Sequence, residues 1–174
     1  MDTMKAIEGR RSIRAYTQEQ ISEEALARIL TAGGCAPVAL RQYDAMHLTV
    51  IQDKGLLQRI SALVKQAGNT AHDPLYGVPT LILVAAKEQM PAPGLDYANT
   101  GCMLENMMLA AFDGGIGSVI IWGAAAAVEG DPELKRALSL PEGFRAIAGA
   151  GFGVGVAVGS ETPRPAQPFP VHRV

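Results

Sequence analysis

The sequence is poor in charge and in aromatic side chains, and none of its apolar runs is long enough to cross a bilayer. Only 18% of its 174 residues are charged and 5% are aromatic, whereas 48% are hydrophobic. The apolar stretches Leu81–Ala86 and Ile116–Trp122 have the length of strands. Residues Met1–Lys5 also lack the charged-then-apolar layout of a signal peptide. We therefore expect a cytoplasmic protein that has no membrane partner.

Basic residues, cysteines and histidines are too few or too scattered for several classes of site. The 15 basic residues form no long run and the net charge is −2, so the footprint of a nucleic-acid binder is missing. Cys35 and Cys102 form no CxxC pair, which fits a reducing compartment but leaves one disulfide open. Neither His47 nor His72 has a second ligand at metal-binding spacing, so we predict no metal site.

Two familiar catalytic or cofactor motifs are also missing. Ser12 has no histidine nearby in sequence and no G-x-S-x-G elbow occurs, which gives triad hydrolysis little support. The glycine-rich run Gly149–Gly155 does not fit G-x-G-x-x-G and has no helix after it. We interpret it as a strand whose glycines permit close packing.

The remaining pattern predicts one domain over residues 1–174, with an extended C-terminal arm from about residue 160 that contains several prolines. Helices alternate with strands, which indicates an α/β or α+β sandwich. The predicted helices are Met4–Arg11 with Thr3 as N-cap, a helix capped by Ser22 that stops at Gly33-Gly34, Leu56–Gln66, Asp96–Gly114 and Asp131–Leu140. The predicted strands are His47–Gln52, Thr80–Ala86, Ser118–Trp122 and Ala146–Gly159.

The helix predicted over Asp96–Gly114 is apolar around nearly its whole circumference. A helix of this kind is buried on all sides, either at the centre of a core or across a subunit interface. Its methionines fit an adaptable core or interface better than a cofactor site.

The densest polar signal is Arg10-Arg11-Ser12-Ile13-Arg14, at the end of the first helix. Three guanidinium groups and a hydroxyl within five residues can bind a phosphate through paired hydrogen bonds. The alternative is a solvated basic turn.

Residues Lys5–Tyr16 resemble the opening signature of the nitroreductase family, in which RRSIR-x-[FY] follows a short helix. The resemblance continues through Glu24–Leu30 and Ala36-Pro37 and resumes at Tyr76–Thr80. It then covers Glu105–Ala111 of the long helix and the turn Gly115–Ser118 with its strand. It implies an α+β fold, an α/β/α sandwich with a mostly antiparallel central sheet flanked by helices. It also implies a homodimer that binds FMN at the subunit interface.

The resemblance assigns roles to individual residues. Arg10 and Ser12 would hold the FMN phosphate, Arg11 would contribute through side chain or backbone, and Arg14 would reach the pyrimidine end of the flavin. A guanidinium there stabilises the negative charge that reduction leaves near N1 and O2. Trp122 and Gly123 would present backbone amides to flavin N5 and O4, although Trp122 also fits a core aromatic at a strand end.

Two further segments depart from the family pattern or leave a choice. Where many members carry an Asn-containing loop, this chain has Val38, Ala39, Leu40 and Arg41, which would line the flavin through backbone groups. A basic residue of the C-terminal arm would return to the phosphate. Arg164 matches that place best, and Arg173 is its rival.

The function implied is transfer of hydride from NADH or NADPH, through flavin N5, to an oxidised small molecule such as a nitroaromatic or quinone in a ping-pong scheme. We predict no catalytic side chain, because the flavin carries the chemistry. Alternatives are a flavin-storing or flavin-sensing module without turnover, a structural protein that only dimerises, and a specialised family branch with another flavin reaction.

Overall fold

Four strands build a single antiparallel sheet in the part of the chain that a computed structural model describes, residues 2–156, 165–167 and 169–174. The strands are β1 (Met46–Ile51), β2 (Thr80–Lys87), β3 (Gly117–Ile121) and β4 (Phe144–Gly153). Their order is β1–β2–β4–β3, so β1 and β3 form the edges. All three pairings are antiparallel, and the predicted α+β fold with its mostly antiparallel sheet is confirmed.

Helices cover both faces of this sheet. They are α1 (Thr3–Gly9), α2 (Glu23–Gly34), α3 (Lys54–Gly68), α4 (Leu95–Asp113), α5 (Gly123–Glu129) and α6 (Pro132–Ala137). Leu81 and Leu83 of β2 pack in the core cluster that contains α3, α5 and α6. Ile82 and Val84 pack in the cluster that contains α2 and α4. The apolar run of β2 is unbroken because both of its faces are covered.

Helix starts follow their capping side chains. Ser22 accepts a hydrogen bond from the amide of Ala25, as the sequence predicts. For α1 the predicted cap is wrong, since Thr3 is already the first helical residue and Asp2 accepts from the amides of Met4 and Lys5. A carboxylate at this position also opposes the positive end of the helix dipole.

Helix α4 is buried on one side only, so the expectation of burial all round does not hold within one chain. Met103 and Met107 are buried against α2 and the sheet, whereas Tyr97, Gly101 and Cys102 are exposed. Nothing inside the described chain covers this second face.

Helix α5 was missed by the sequence analysis, and the last strand was drawn too long. Four consecutive alanines and a lack of any capping side chain left α5 without a start signal. Strand β4 ends at Gly153 and begins at Phe144, two residues before the predicted start. The described parts of the C-terminal arm belong to no helix or strand.

Cys35 and Cys102 are both exposed free thiols, which removes the disulfide alternative. No helix among the described residues is long and apolar enough to span a membrane. The same residues contain no cluster of three or more histidine, cysteine or acidic side chains that would hold a metal ion.

The glycines of β4 permit close packing, as interpreted from the sequence. A Cβ on Gly151 would lie 2.5 Å from Val78 Cγ1 and 3.0 Å from Ile121 Cδ1, both in the core on the α3 side. The strand must therefore lack a side chain at this point for the segment that contains Val78 to reach the sheet.

We predict that Gly151→Ala destabilises the protein by about 1–3 kcal/mol, because the added methyl group overpacks the core. Gly34→Ala is the matched control, since a Cβ at this helical position meets no atom within 4 Å. Urea unfolding at one fixed protein concentration measures both free energies of unfolding. Equal stability of the two variants would contradict the packing argument.

Candidate functional site

The segment that carries the arginines runs along the free edge of β3. Ser12 forms a parallel bridge with Ser118, and the amide of Ile13 donates to the Ser118 carbonyl over 3.0 Å. Four residues later Tyr16 bridges Gly155, just beyond β4. The segment is therefore fixed at both ends by backbone hydrogen bonds to the sheet.

Tyr16 also stabilises the turn between these two bridges. Its hydroxyl donates to the carbonyl of Ile13 over 2.8 Å. Burial raises the pKa of Tyr16, so that the phenol remains protonated and keeps this bond at physiological pH.

The three arginines have different partners. Arg10 Nε lies 3.3 Å from Glu105 Oε1 on α4, and the Arg10 side chain is largely buried. Arg11 donates to the carbonyls of Glu8, over 2.6 Å, and of Arg10 itself, where α1 ends. The Arg14 guanidinium lies 5.8 Å from the centroid of the Tyr76 ring, in a cation–π contact. Arg10 and Arg14 thus point toward different neighbours on either side of the exposed Ser12.

A buried hydroxyl lies beside this segment. Ser118 is 2% exposed, and its Oγ has no hydrogen-bond partner in the described part of the chain. Ser118 Oγ therefore lies beneath the surface that a ligand beside Ser12 would contact.

Trp122 and Gly123 lie at the other end of β3, where α5 begins. Trp122 is 62% exposed and stacks on Tyr97 of α4, with ring centroids 6.0 Å apart, so the core-aromatic alternative is wrong. Gly123 has a packing role that the sequence did not reveal, because a Cβ there would lie 2.7 Å from Val64 Cγ1 on α3.

These contacts define an exposed strip of surface along α4 and β3. On α4, Tyr97 and Glu105 are eight residues apart, or about 12 Å along the helix, and Gly101 lies on the same line between them. From Ser118 on β3 to Trp122, the residue just after the strand, is four residues, or about 13 Å. The two segments are therefore of nearly equal length and lie side by side. We call the strip that carries Tyr97, Gly101, Glu105, Ile120 and Trp122, with the buried Ser118 at one end, the α4–β3 groove.

The groove has two chemically different ends. Arg10 and Ser12 lie at the Ser118 end, and the exposed aromatic pair lies at the Trp122 end. Between them Ile120 is 47% exposed, and a Cβ on Gly101 would meet no atom within 4 Å. An extended ligand with an anionic end and a planar apolar end fits this arrangement.

A family model described as the nitroreductase family matches residues 7–155, which is most of the chain and includes both ends of the groove. The chain belongs to the nitroreductase family. The family resemblance predicted from the arginine segment is thereby confirmed.

Relatives and solved structures agree with this assignment. Two archaeal proteins, provisionally named NADH dehydrogenase/NAD(P)H nitroreductase, match this chain. The protein of Methanothermobacter thermautotrophicus is 30% identical, and the match covers 82% of this chain and 71% of that protein. The protein of Archaeoglobus fulgidus is 32% identical, and the match covers 81% of this chain and 78% of that protein. A nitroreductase from Bacteroides fragilis with bound FMN has a TM-score of 0.81 at 27% identity, covering 99% of this chain and 100% of that one. A provisionally named nitroreductase from Desulfovibrio desulfuricans in complex with FMN has a TM-score of 0.75 at 30% identity, covering 98% and 99%.

The loop that departs from the common nitroreductase pattern is held against α4. Val38 is buried, and the amide of Ala39 donates to Asn99 Oδ1 over 3.1 Å. Leu40 and Arg41 have positive φ angles of 55° and 57°, which are unusual for residues with side chains, and both are exposed. The loop therefore presents Leu40 and Arg41 outward from the N-terminal half of α4.

The basic residue expected from the C-terminal arm is not located. Arg164 lies outside the described residues, and its rival Arg173 is exposed. The assignment of either residue to the phosphate stays a prediction.

Several residues in or beside the α4–β3 groove were not predicted from the sequence. Glu105 and Tyr97 gave no signal because they are far in sequence from Arg10 and Trp122. Arg145 and Asp96 form an ion pair beside Tyr97, and nothing in their spacing indicates it. Such pairings depend on the register of α4 against the sheet.

A separate cavity of about 450 Å³ lies on the other face of the sheet, between α3, residues 18–20 and residues 73–79. None of the predicted site residues lines it. It is therefore a second place where a ligand of moderate size has room, distinct from the α4–β3 groove.

Proposed function

We propose that the protein is an FMN-dependent oxidoreductase that uses NADH or NADPH to reduce a small oxidised molecule such as a nitroaromatic or quinone. The observation that carries the proposal is the α4–β3 groove, with Arg10 beside Glu105 at one end and exposed aromatic rings at Tyr97, about 12 Å along α4 from Glu105. The FMN bound in the B. fragilis and D. desulfuricans structures supports the cofactor. The names of the two archaeal relatives support the nicotinamide donor.

The residues at the Ser118 end fit a flavin phosphate. Arg10 carries a guanidinium group near the exposed hydroxyl of Ser12. A phosphate supplies acceptors for hydroxyl and guanidinium donors alike. Glu105 balances part of the Arg10 charge and holds its side chain along α4.

By the family resemblance, Arg14 and the amide of Gly123 would contact the ring system; Tyr76, the partner of Arg14, packs on the α3 side of the sheet, outside the α4–β3 groove. In this assignment Arg14 stabilises negative charge at the pyrimidine edge, with Tyr76 orienting its guanidinium from one side. The first amides of a helix have no partner within that helix, and no side chain caps α5. The amide of Gly123 is therefore a suitable donor to the N5 edge.

Two further assignments come from the family resemblance. The loop residues Val38, Ala39, Leu40 and Arg41 would contact the flavin of the same or of a second chain through backbone groups. Arg164 would add a further cation at the phosphate. Both remain proposals drawn from the family resemblance.

When bound, FMN supplies the redox chemistry, accepting hydride from the nicotinamide and passing electrons to the acceptor in a ping-pong cycle. The chain's own residues would bind and orient the flavin and neutralise its negative charge.

We further propose a homodimer with the flavin at its interface. The exposed face of α4 carries small and apolar residues, among them Ala98, Gly101 and Cys102. Leu40 and Ile120 next to this face are also exposed. A second copy of the chain would cover this surface and close the groove.

The test is the visible absorption spectrum of the purified protein, before and after anaerobic addition of NADH or NADPH. We expect a flavin spectrum that bleaches. A flavin spectrum that does not bleach would instead favour the storage or sensing module. A protein that takes up no FMN on reconstitution would contradict the proposal.

Replacement of Arg14 tests the site itself. We predict that Arg14→Ala weakens FMN binding about 10- to 100-fold or slows flavin reduction, because it removes a charged hydrogen-bond donor worth about 1.5–3 kcal/mol. Arg136→Ala, an exposed arginine on α6, removes the same charge elsewhere. Equilibrium titration of FMN-free protein and stopped-flow reduction measure both effects. Unchanged affinity and rate in Arg14→Ala would rule out this role.

A further inference from the structure

Two large aromatic side chains are exposed together at the Trp122 end of the groove. Tyr97 is 47% exposed and Trp122 is 62% exposed, yet their rings stack with centroids 6.0 Å apart and planes inclined by only 19°. Exposed aromatic rings that stack on each other still present an apolar face to solvent. Such a face is a surface on which another planar ring can stack.

The pair is fixed by a partly buried ion pair. The Arg145 guanidinium lies 5.3 Å from the centroid of the Tyr97 ring, and one of its nitrogens lies 3.5 Å from the Tyr97 hydroxyl. The same guanidinium donates to the carboxylate of Asp96, which is only 4% exposed. These hydrogen-bonding and charge contacts raise the pKa of Arg145, so the brace stays cationic.

This brace fixes both the start of α4 and the ring beside it. Burying the Asp96 carboxylate requires desolvation that its pairing with Arg145 offsets only when the geometry is good. A surface tyrosine needs no such support for stability. The pair holds Tyr97 in one orientation, and a fixed ring loses less entropy than a mobile one when a ligand binds it.

We propose that Tyr97 and Trp122 form an aromatic wall that binds planar aromatic acceptors, with Tyr97 as a specificity-determining residue. The inference rests on the proposed function for its place in the reaction, because Trp122 directly precedes Gly123, the residue assigned to the flavin ring edge. An electron-poor nitroaromatic or quinone ring stacks on the electron-rich faces of tyrosine and tryptophan. A non-aromatic acceptor gains nothing from this wall.

The chain contains a single tryptophan, so its fluorescence reports on Trp122 alone. We would titrate FMN-free protein with 4-nitrobenzamide, an uncharged nitroaromatic, and separate bound-state quenching from collisions by the fluorescence lifetime. Tyr97→Leu keeps an apolar side chain but removes the ring, and it should weaken binding about three- to tenfold. Tyr97→Phe keeps the ring and should bind like the parent protein.

The control is Tyr43→Leu, which removes another exposed tyrosine, 54% exposed, from the turn before β1. It should leave the titration unchanged. Quenching that is purely collisional in the parent protein, or equal binding by the parent and Tyr97→Leu, would overturn the inference.

A second readout separates this inference from the proposed function. In the FMN-loaded protein, Tyr97→Leu should lower kcat/KM for the nitroaromatic three- to tenfold relative to kcat/KM for ferricyanide, at one fixed donor concentration. An equal loss for both acceptors would contradict the specificity role. If the protein binds no flavin, the proposed function fails, while the titration of Trp122 still decides whether the aromatic wall binds such rings.

Discussion

Strand β3 has a strand partner on one side only within the described chain, and its other side is bounded by the bridge between Ser12 and Ser118. The position of this edge strand determines where the other parts of the site lie. The bridge brings the arginines to the start of the strand, and the end of the strand delivers Trp122 and Gly123. Helix α4 runs alongside: its Glu105 contacts Arg10 near the start of the strand, and its Tyr97 contacts Trp122 just past the end.

The cost of this arrangement is a helix that buries only half of its surface. The methionines of α4 fill the core against α2, while Gly101 and Cys102 face outward. Exposed small residues on a helix allow another chain or a flat ligand to approach closely. The ion pair between Asp96 and Arg145 fixes the first turn of α4, which would otherwise fray. Because Tyr97 is the next residue after Asp96, the same ion pair fixes the position of Tyr97.

Much of the fold was predictable because it follows local rules. The unbroken apolar run of β2 predicts a strand covered on both faces, and Ser22 predicts the start of α2. The arginine segment predicts the family, which carries the sheet and its flanking helices with it. Helix α5 escaped because it is short and lacks a capping side chain, and Asp2 was passed over because the adjacent Thr3 is an equally good cap by type.

The candidate site was predictable only in the parts that follow one another in sequence. Arg10 to Arg14 and Trp122-Gly123 are recognisable as segments, but their separation along β3 depends on the backbone bridge at Ser118. Glu105, Tyr97 and Arg145 enter the groove through the register of α4, which periodicity does not define. Local sequence does not determine the path of the C-terminal arm. The choice between Arg164 and Arg173 as the cation at the phosphate therefore could not be made from the sequence.

A crystal structure of the protein with FMN would test the central claim most directly. The account predicts the phosphate within about 3 Å of donor atoms of Arg10 or Ser12, and the ring system beside Trp122 and Gly123. Flavin bound instead in the cavity between α3 and residues 73–79, or with its phosphate at the Trp122 end, would contradict it.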